Sequence, residues 1–243
     1  MYFLVDDKTK IIFAWSPKCG CSHIKRIFKF LYNNNVDVDD YLLHTDDNHE
    51  LPIDIENYTT IIISRNPYKR IISGFLDKYN ITGYFRDRWK YETLTFSMFI
   101  NELLKEEWTM IEPCHFTAQT DNLNTQTDNL ITQTDNFDRL VIRSECIKIF
   151  DIENIDYTYI ENLYNKKIPE IVLHKKEGHE RKIHDITIDK CVCDLNIDEY
   201  YNCNVNIEYF YNEELQNKIL KFYENDFHFF KTLGIDYSIA SPL

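Results

Sequence analysis

Ile11-Ile-Phe-Ala-Trp15, then Ser16-Pro-Lys-Cys-Gly-Cys-Ser22, then a run in which Ile24, Ile27, Phe28 and Leu31 recur at helical spacing: this stretch decides the fold. Five apolar residues without alternation predict a short strand buried on both faces. The small and polar residues after it predict a loop. Lys25, Arg26 and Lys29 fill the remaining positions of the helix, which Asn33-Asn-Asn35 ends. The plan repeats downstream. Tyr58 to Ser64 is a β-rich run, Arg65 follows it, and Asn66-Pro67 reads as a cap and first helical residue before Ile71, Ile72, Phe75 and Leu76. Two strand–turn–helix units in succession predict an α/β fold with a central parallel sheet flanked by helices.

Outward from these units the pattern is less regular. Val36 to Leu43 reads as a short strand ending at His44. Phe96, Phe99, Ile100, Leu103 and Leu104 form one helical face. Residues 119–136 hold a heptad repeat, begun by Gln119-Thr-Asp-Asn and again at Gln126 and Gln133. One apolar residue per heptad is too thin for a coiled coil, so the repeat predicts a surface insertion. Arg139-Leu-Val-Ile-Arg143 reads as a further strand, with a helix starting near Ser144. Leu215, Ile219, Phe222, Tyr223, Phe227 and Phe230 mark one amphipathic C-terminal helix. No linker divides the chain, so residues 1–243 read as a single domain.

The 243 residues are 44% hydrophobic and 15% aromatic, enough for a sizeable core. The net charge is −13, which argues against nucleic acid or another extended polyanion as partner. The charge is uneven. Residues 10–30 carry five basic groups and no acid, and residues 64–90 carry seven against two. Two basic islands in an acidic protein predict a local anion site. No apolar run reaches membrane-spanning length, and Met1-Tyr-Phe-Leu-Val lacks a signal-peptide pattern. The expectation is a soluble cytoplasmic protein. Seven cysteines without zinc-ribbon spacing read as free thiols, with no metal site. Asn57-Tyr-Thr59 and Asn80-Ile-Thr82 fit the glycosylation triplet, which matters only in a secretory compartment. Nothing in the sequence sets the oligomeric state.

The loop Ser16 to Ser22 lies where a βα unit binds anions: amides of the loop and of the helix start converge, and the helix dipole adds to them. Gly20 permits close backbone approach, and Lys18 adds a full charge. The loop is not a Walker A sequence, which places Lys directly before Ser/Thr. Arg65 ends the second strand at the same sheet edge, with Ser73 two helical turns on. Arg with a hydroxyl suits a terminal phosphate. Two anion sites on neighbouring turns predict a ligand with two separated phosphate-like groups.

Pro17-Lys-Cys-Gly-Cys-Ser-His-Ile-Lys-Arg26 resembles the 5′-phosphosulfate loop of the membrane-derived (Golgi-type, family 2) carbohydrate sulfotransferases, Pro-Lys followed at fixed distance by Ser or Thr. Ile62-Ile-Ser-Arg-Asn-Pro-Tyr-Lys-Arg-Ile-Ile-Ser-Gly-Phe75 resembles their 3′-phosphate motif. His115-Phe-Thr-Ala-Gln119 is similar to their His-Trp-x-Pro-Gln without the Trp and Pro, and Phe222 to Phe230 is similar to their terminal helix. The resemblance implies a P-loop-like sulfotransferase fold. It also implies transfer of a sulfuryl group from 3′-phosphoadenosine 5′-phosphosulfate (PAPS) to a hydroxyl of a carbohydrate acceptor, without a metal. It assigns Pro17, Lys18, Cys19, Gly20, Cys21, Ser22 and His23 to the 5′ end of the donor, and Arg65 and Ser73 to its 3′ phosphate. Lys18 would neutralise the leaving oxygens, and His115 and Gln119 would meet the acceptor. The acceptor hydroxyl needs a base. His44, at a predicted strand end on the same edge, is the first candidate, His49 the second and His115 the third. His174, His179 and His184, spaced by five among basic residues, match no common metal site. Two rivals stay open: a nucleotide-dependent phosphotransferase, and an inactive sulfotransferase-fold module that binds glycan or a protein partner.

Overall fold

The structure is a computed structural model, and it describes residues 1–36, 50–120, 146–174 and 183–239. In chain order its main elements are β1 (Tyr2–Asp6), β2 (Ile11–Trp15), α1 (Cys21–Asn33), β3 (Thr59–Ser64), α2 (Pro67–Lys78), α3 (Phe96–Leu103), β4 (Cys146–Asp151), α4 (Tyr157–Tyr164), β5 (Thr187–Ile188), β6 (Asn204–Val205), α5 (Glu213–Phe222) and α6 (Glu224–Thr232). They form two compact units, Met1–Arg65 with Gln119–Glu180, and Asn66–Ala118 with Arg181–Leu243.

The first unit holds a four-stranded sheet in the order β1-β2-β3-β4. β2, β3 and β4 run parallel, with Phe13 opposite Ile61 and Ile61 opposite Lys148. β1 is an antiparallel edge that the sequence reading leaves out. It arises from a hairpin closed by Asp6, whose carboxylate accepts from Lys8 N at 3.0 Å, Thr9 N at 3.3 Å and Thr9 Oγ1 at 2.7 Å. β2 is buried along its whole length, as its unbroken apolar run predicts. Ile11, Phe13 and Trp15 share a core with Ile24, Ile27, Phe28 and Leu31 of α1, with Ile61 and Ile63, and with Phe150, Ile160 and Val172. Each such side chain contributes about 1.5–3 kcal/mol by leaving water. α1 ends at Asn34, a left-handed cap (φ 62°) whose N–H donates to Phe30 O.

β4 corrects one expectation. The chain from Cys146 to Asp151 is strand, where the sequence reading starts a helix near Ser144. Ile147 and Ile149 are β-branched and pair beside Thr60 and Ile62, so sheet pairing overrides the expected helix. The predicted strands Val36–Leu43 and Arg139–Arg143 and the repeat at 119–136 fall wholly or almost wholly outside the described residues.

The second unit is mainly helical. Asn66 caps α2 by accepting from Tyr68 N at 3.0 Å, with Pro67 first in the helix, as the sequence predicts. Ile71, Phe75, Phe96, Phe99, Phe116, Leu215, Ile219 and Tyr223 belong to one core. The predicted C-terminal helix is two helices. Tyr223 (φ −104°, ψ 28°) leaves helical geometry between α5 and α6, buries its ring and donates its hydroxyl to Phe116 O. Asn80 of the second glycosylation triplet is buried, its amide donating to Leu76 O and Asp77 O at 2.9 Å. All seven cysteines are free thiols. Among the described residues no helix is long and apolar enough to cross a membrane.

Candidate functional site

β2 and β3 are adjacent and parallel, with Trp15 opposite Ile63. Their carboxyl ends therefore share one edge of the sheet, and the chain leaves both strands there.

The turn after β2 is tight: Cys19 N–H donates to Ser16 O at 3.1 Å. Lys18 (φ 69°) and Gly20 (φ 78°) are both left-handed. A Cβ on Gly20 would lie 2.3 Å from Ile152 Cδ1, so glycine is required by conformation and by space. α1 begins at Cys21 with no side-chain cap and no acid in its first turn. A 13-residue helix thus directs its positive dipole end and first-turn amides at the edge where Lys18 sits.

The turn after β3 is locked to the first. Arg65 Nη1 donates to Lys18 O at 3.1 Å. Arg65 N donates to Gln119 Oε1 at 3.0 Å, and Gln119 Nε2 donates to Arg65 O at 2.8 Å. Cys19 Sγ donates to Gln119 Oε1 at 3.0 Å, and Ser16 Oγ to Gln119 O at 3.1 Å. Arg65 Nε is buried with no hydrogen-bond partner among the described residues. Arg26 Nε and Arg70 Nη2 share this status, but Arg65 alone of the three lies on the turn tied to Lys18, where an anionic ligand would supply the missing acceptor.

The first unit therefore brings together Pro17, Lys18, Cys19, Gly20, Cys21, Ser22 and His23 with Arg65 and Gln119. The Cys19 amide is already engaged within the turn. The His23 ring shares a hydrogen bond of 2.8 Å with Tyr157 Oη. Burial, helped by the charges of Arg26 and His174, lowers the His23 pKa from 6.5 to about 4, so the ring is neutral at pH 7. Ser73 lies on α2 in the second unit. His115 also belongs to that unit, and its Nδ1 pairs with the Glu112 carboxylate. Burial pushes the Glu112 carboxyl up, but hydrogen bonds and charge from His115 outweigh it and hold the group below its ordinary range. His44, His49 and His179 lie outside the described residues. Among those described, no group of three or more His, Cys, Asp or Glu could hold a metal ion. Ile152 and Tyr157 carry no signal in the sequence. Each meets the 16–23 segment only because β4 returns beside β3.

Residues 1–232 match the sulfotransferase family, and the chain belongs to it. Members of this family are PAPS-dependent transferases. Mouse carbohydrate sulfotransferase 14 is 27% identical over 98 residues, which cover 36% of this chain. The match spans 26% of that relative's length. No solved structure matches the chain. The residues present are compatible with such a donor: the uncapped start of α1 beside Lys18 would receive one anionic group, and Arg65, whose Nε has no hydrogen-bond partner among the described residues, would receive another.

Proposed function

We propose that the protein moves a sulfuryl group from PAPS to a hydroxyl of a carbohydrate acceptor. The observation that carries this reading is the Arg65–Lys18 bond, which ties two turns at one sheet edge, with Arg65 Nε lacking a hydrogen-bond partner among the described residues. The carbohydrate class rests on the name of the mouse relative.

When bound, PAPS supplies the sulfuryl group. The chain's own residues orient it and manage charge. The amides that open α1 hold the 5′ phosphate, and Pro17, Gly20 and Ser22 shape the loop around it. Lys18 neutralises charge that develops on the leaving oxygen, a role worth most where water is excluded. Arg65 takes the 3′ phosphate, which separates this donor from ATP. His44, then His49, then His115 are the candidates to accept the proton of the acceptor hydroxyl. A neutral imidazole suits that task. The reaction needs in-line positioning more than covalent chemistry, and two fixed anion sites supply positioning.

Calorimetry with adenosine 3′,5′-bisphosphate against ATP, followed by transfer from labelled donor to a panel of oligosaccharides, tests the reading. The bisphosphate binds and ATP does not compete. Tighter binding of ATP, or label that appears on no sugar, rejects it.

A further inference from the structure

Gln119 is 1% exposed, and its side-chain amide is committed to the backbone around it. Its oxygen accepts from Arg65 N and from Cys19 Sγ, and its nitrogen donates to Arg65 O. A primary amide thus satisfies both backbone groups of Arg65, in the way that a neighbouring strand would. The same oxygen reaches the turn after β2 through Cys19, and the backbone carbonyl of Gln119 reaches it again through Ser16 Oγ. Arg65 in turn spends Nη1 on Lys18 O. The chain Gln119–Arg65–Lys18 therefore fixes the peptide that carries the open guanidinium and the carbonyl of the residue that carries the loop's lysine.

We infer that Gln119 is a positioning residue of the donor subsite: it sets Arg65 and the Lys18 turn in register, and it acts on the donor without touching the acceptor. This rests on the donor assignment proposed above, and it moves Gln119 from the acceptor role that the family resemblance gives it. The physical argument is commitment. With its oxygen shared by two donors, its nitrogen engaged and 1% of its surface exposed, the side chain faces its own sheet edge.

The experiment compares wild type, Gln119→Ala, Gln119→Glu, Arg65→Ala and the Arg65→Ala/Gln119→Ala double variant. Circular dichroism first establishes folding. Calorimetry then reads adenosine 3′,5′-bisphosphate affinity, and steady-state kinetics read KM for donor and acceptor separately. Gln119→Ala weakens bisphosphate binding about 10–100-fold, by analogy with the loss of a group that orients a metal-binding side chain. The donor KM rises and the acceptor KM stays. Gln119→Glu keeps the shape, loses the N–H to Arg65 O and adds a negative charge, so it shifts the same way. In the Arg65→Ala background the second substitution adds less than about twofold, because both act through one contact. Undiminished bisphosphate affinity in Gln119→Ala overturns the inference, as does a rise in acceptor KM alone or full additivity in the double variant. Loss of folding in both Gln119 variants gives the residue a purely structural role and overturns it too. A wild-type protein that binds no bisphosphate is a separate result, which removes the donor reading itself and the inference with it.

Discussion

Arg65 holds one guanidinium nitrogen against the Lys18 carbonyl and keeps Nε buried and open among the described residues. Arg65→Ala therefore weakens binding of adenosine 3′,5′-bisphosphate far more than binding of the 5′-monophosphate. Equal losses in calorimetry would refute its assignment to the 3′ end. Lys18→Ala lowers turnover by about 10²–10³, as removal of an oxyanion donor does, while the desulfated product still binds. Unchanged turnover in a labelled-donor assay takes Lys18 out of the mechanism. His23 sets a pH dependence. Its folded pKa lies near 4, below the ordinary 6.5, so the fold favours the neutral ring. That stability is fully present above pH 6.5 and is lost as pH falls toward 4. Denaturant midpoints of wild type and His23→Gln diverge above this window and converge below it. Parallel pH profiles would contradict the assignment. The turn that carries Lys18 and Gly20, and the place of Arg65 just past the end of β3, were legible at this scale because turn chemistry is local. The basic residues of the helices were not. The periodicity leaves Lys25 and Arg26 off the apolar positions of α1, yet they are 6% and 0% exposed. Arg70 is buried with Nη1 on Thr117 O at 2.7 Å. A long aliphatic stem can pack inside a protein while part of its polar head finds a partner, as Arg70 Nη1 does, and spacing alone does not reveal when this happens.

The β2–turn–α1 element joins a buried strand to an uncapped helix through two left-handed residues. Gly20→Ala puts a Cβ at φ 78° and 2.3 Å from Ile152 Cδ1. The left-handed conformation alone costs about 1–2 kcal/mol. Thermal denaturation reads this as a fall of several degrees, with weaker bisphosphate binding from a displaced turn; an unchanged melting temperature would mean that Ile152 moves aside and the conformation is unstrained. Elements whose signal is continuous or periodic were readable from sequence: β2, α1, β3, and α2 with its Asn66 cap. Three were misread for reasons that lie outside their own residues. β1 needs β2 as a hairpin partner and Asp6 as the turn's anchor. β4 takes strand form because it pairs with β3 across a long separation. The break at Tyr223 follows from its hydroxyl reaching Phe116 O, which no helical periodicity records. Gln119 was visible only through family likeness, and its partners became clear only when the strands were assembled.

Across the whole molecule, both units are discontinuous: the chain leaves the first after Arg65, returns at Gln119 and leaves again after Glu180. The core of the second unit combines Phe75 and Phe99 with Leu215, Ile219 and Tyr223 from the C-terminal helices. Deleting residues 213–243 strips α5 and α6 from that core. The truncated chain loses its near-ultraviolet circular dichroism and its cooperative unfolding; retention of both would show that residues 66–118 are held in some other way. The interleaving also bears on synthesis. On the ribosome, β3 emerges with β1 and β2 but keeps one edge bare until Cys146–Asp151 follows, and the helical core stays open until the final helices are released. A nascent chain with a waiting strand edge and unfilled aromatic surface is exposed to premature pairing across that interval.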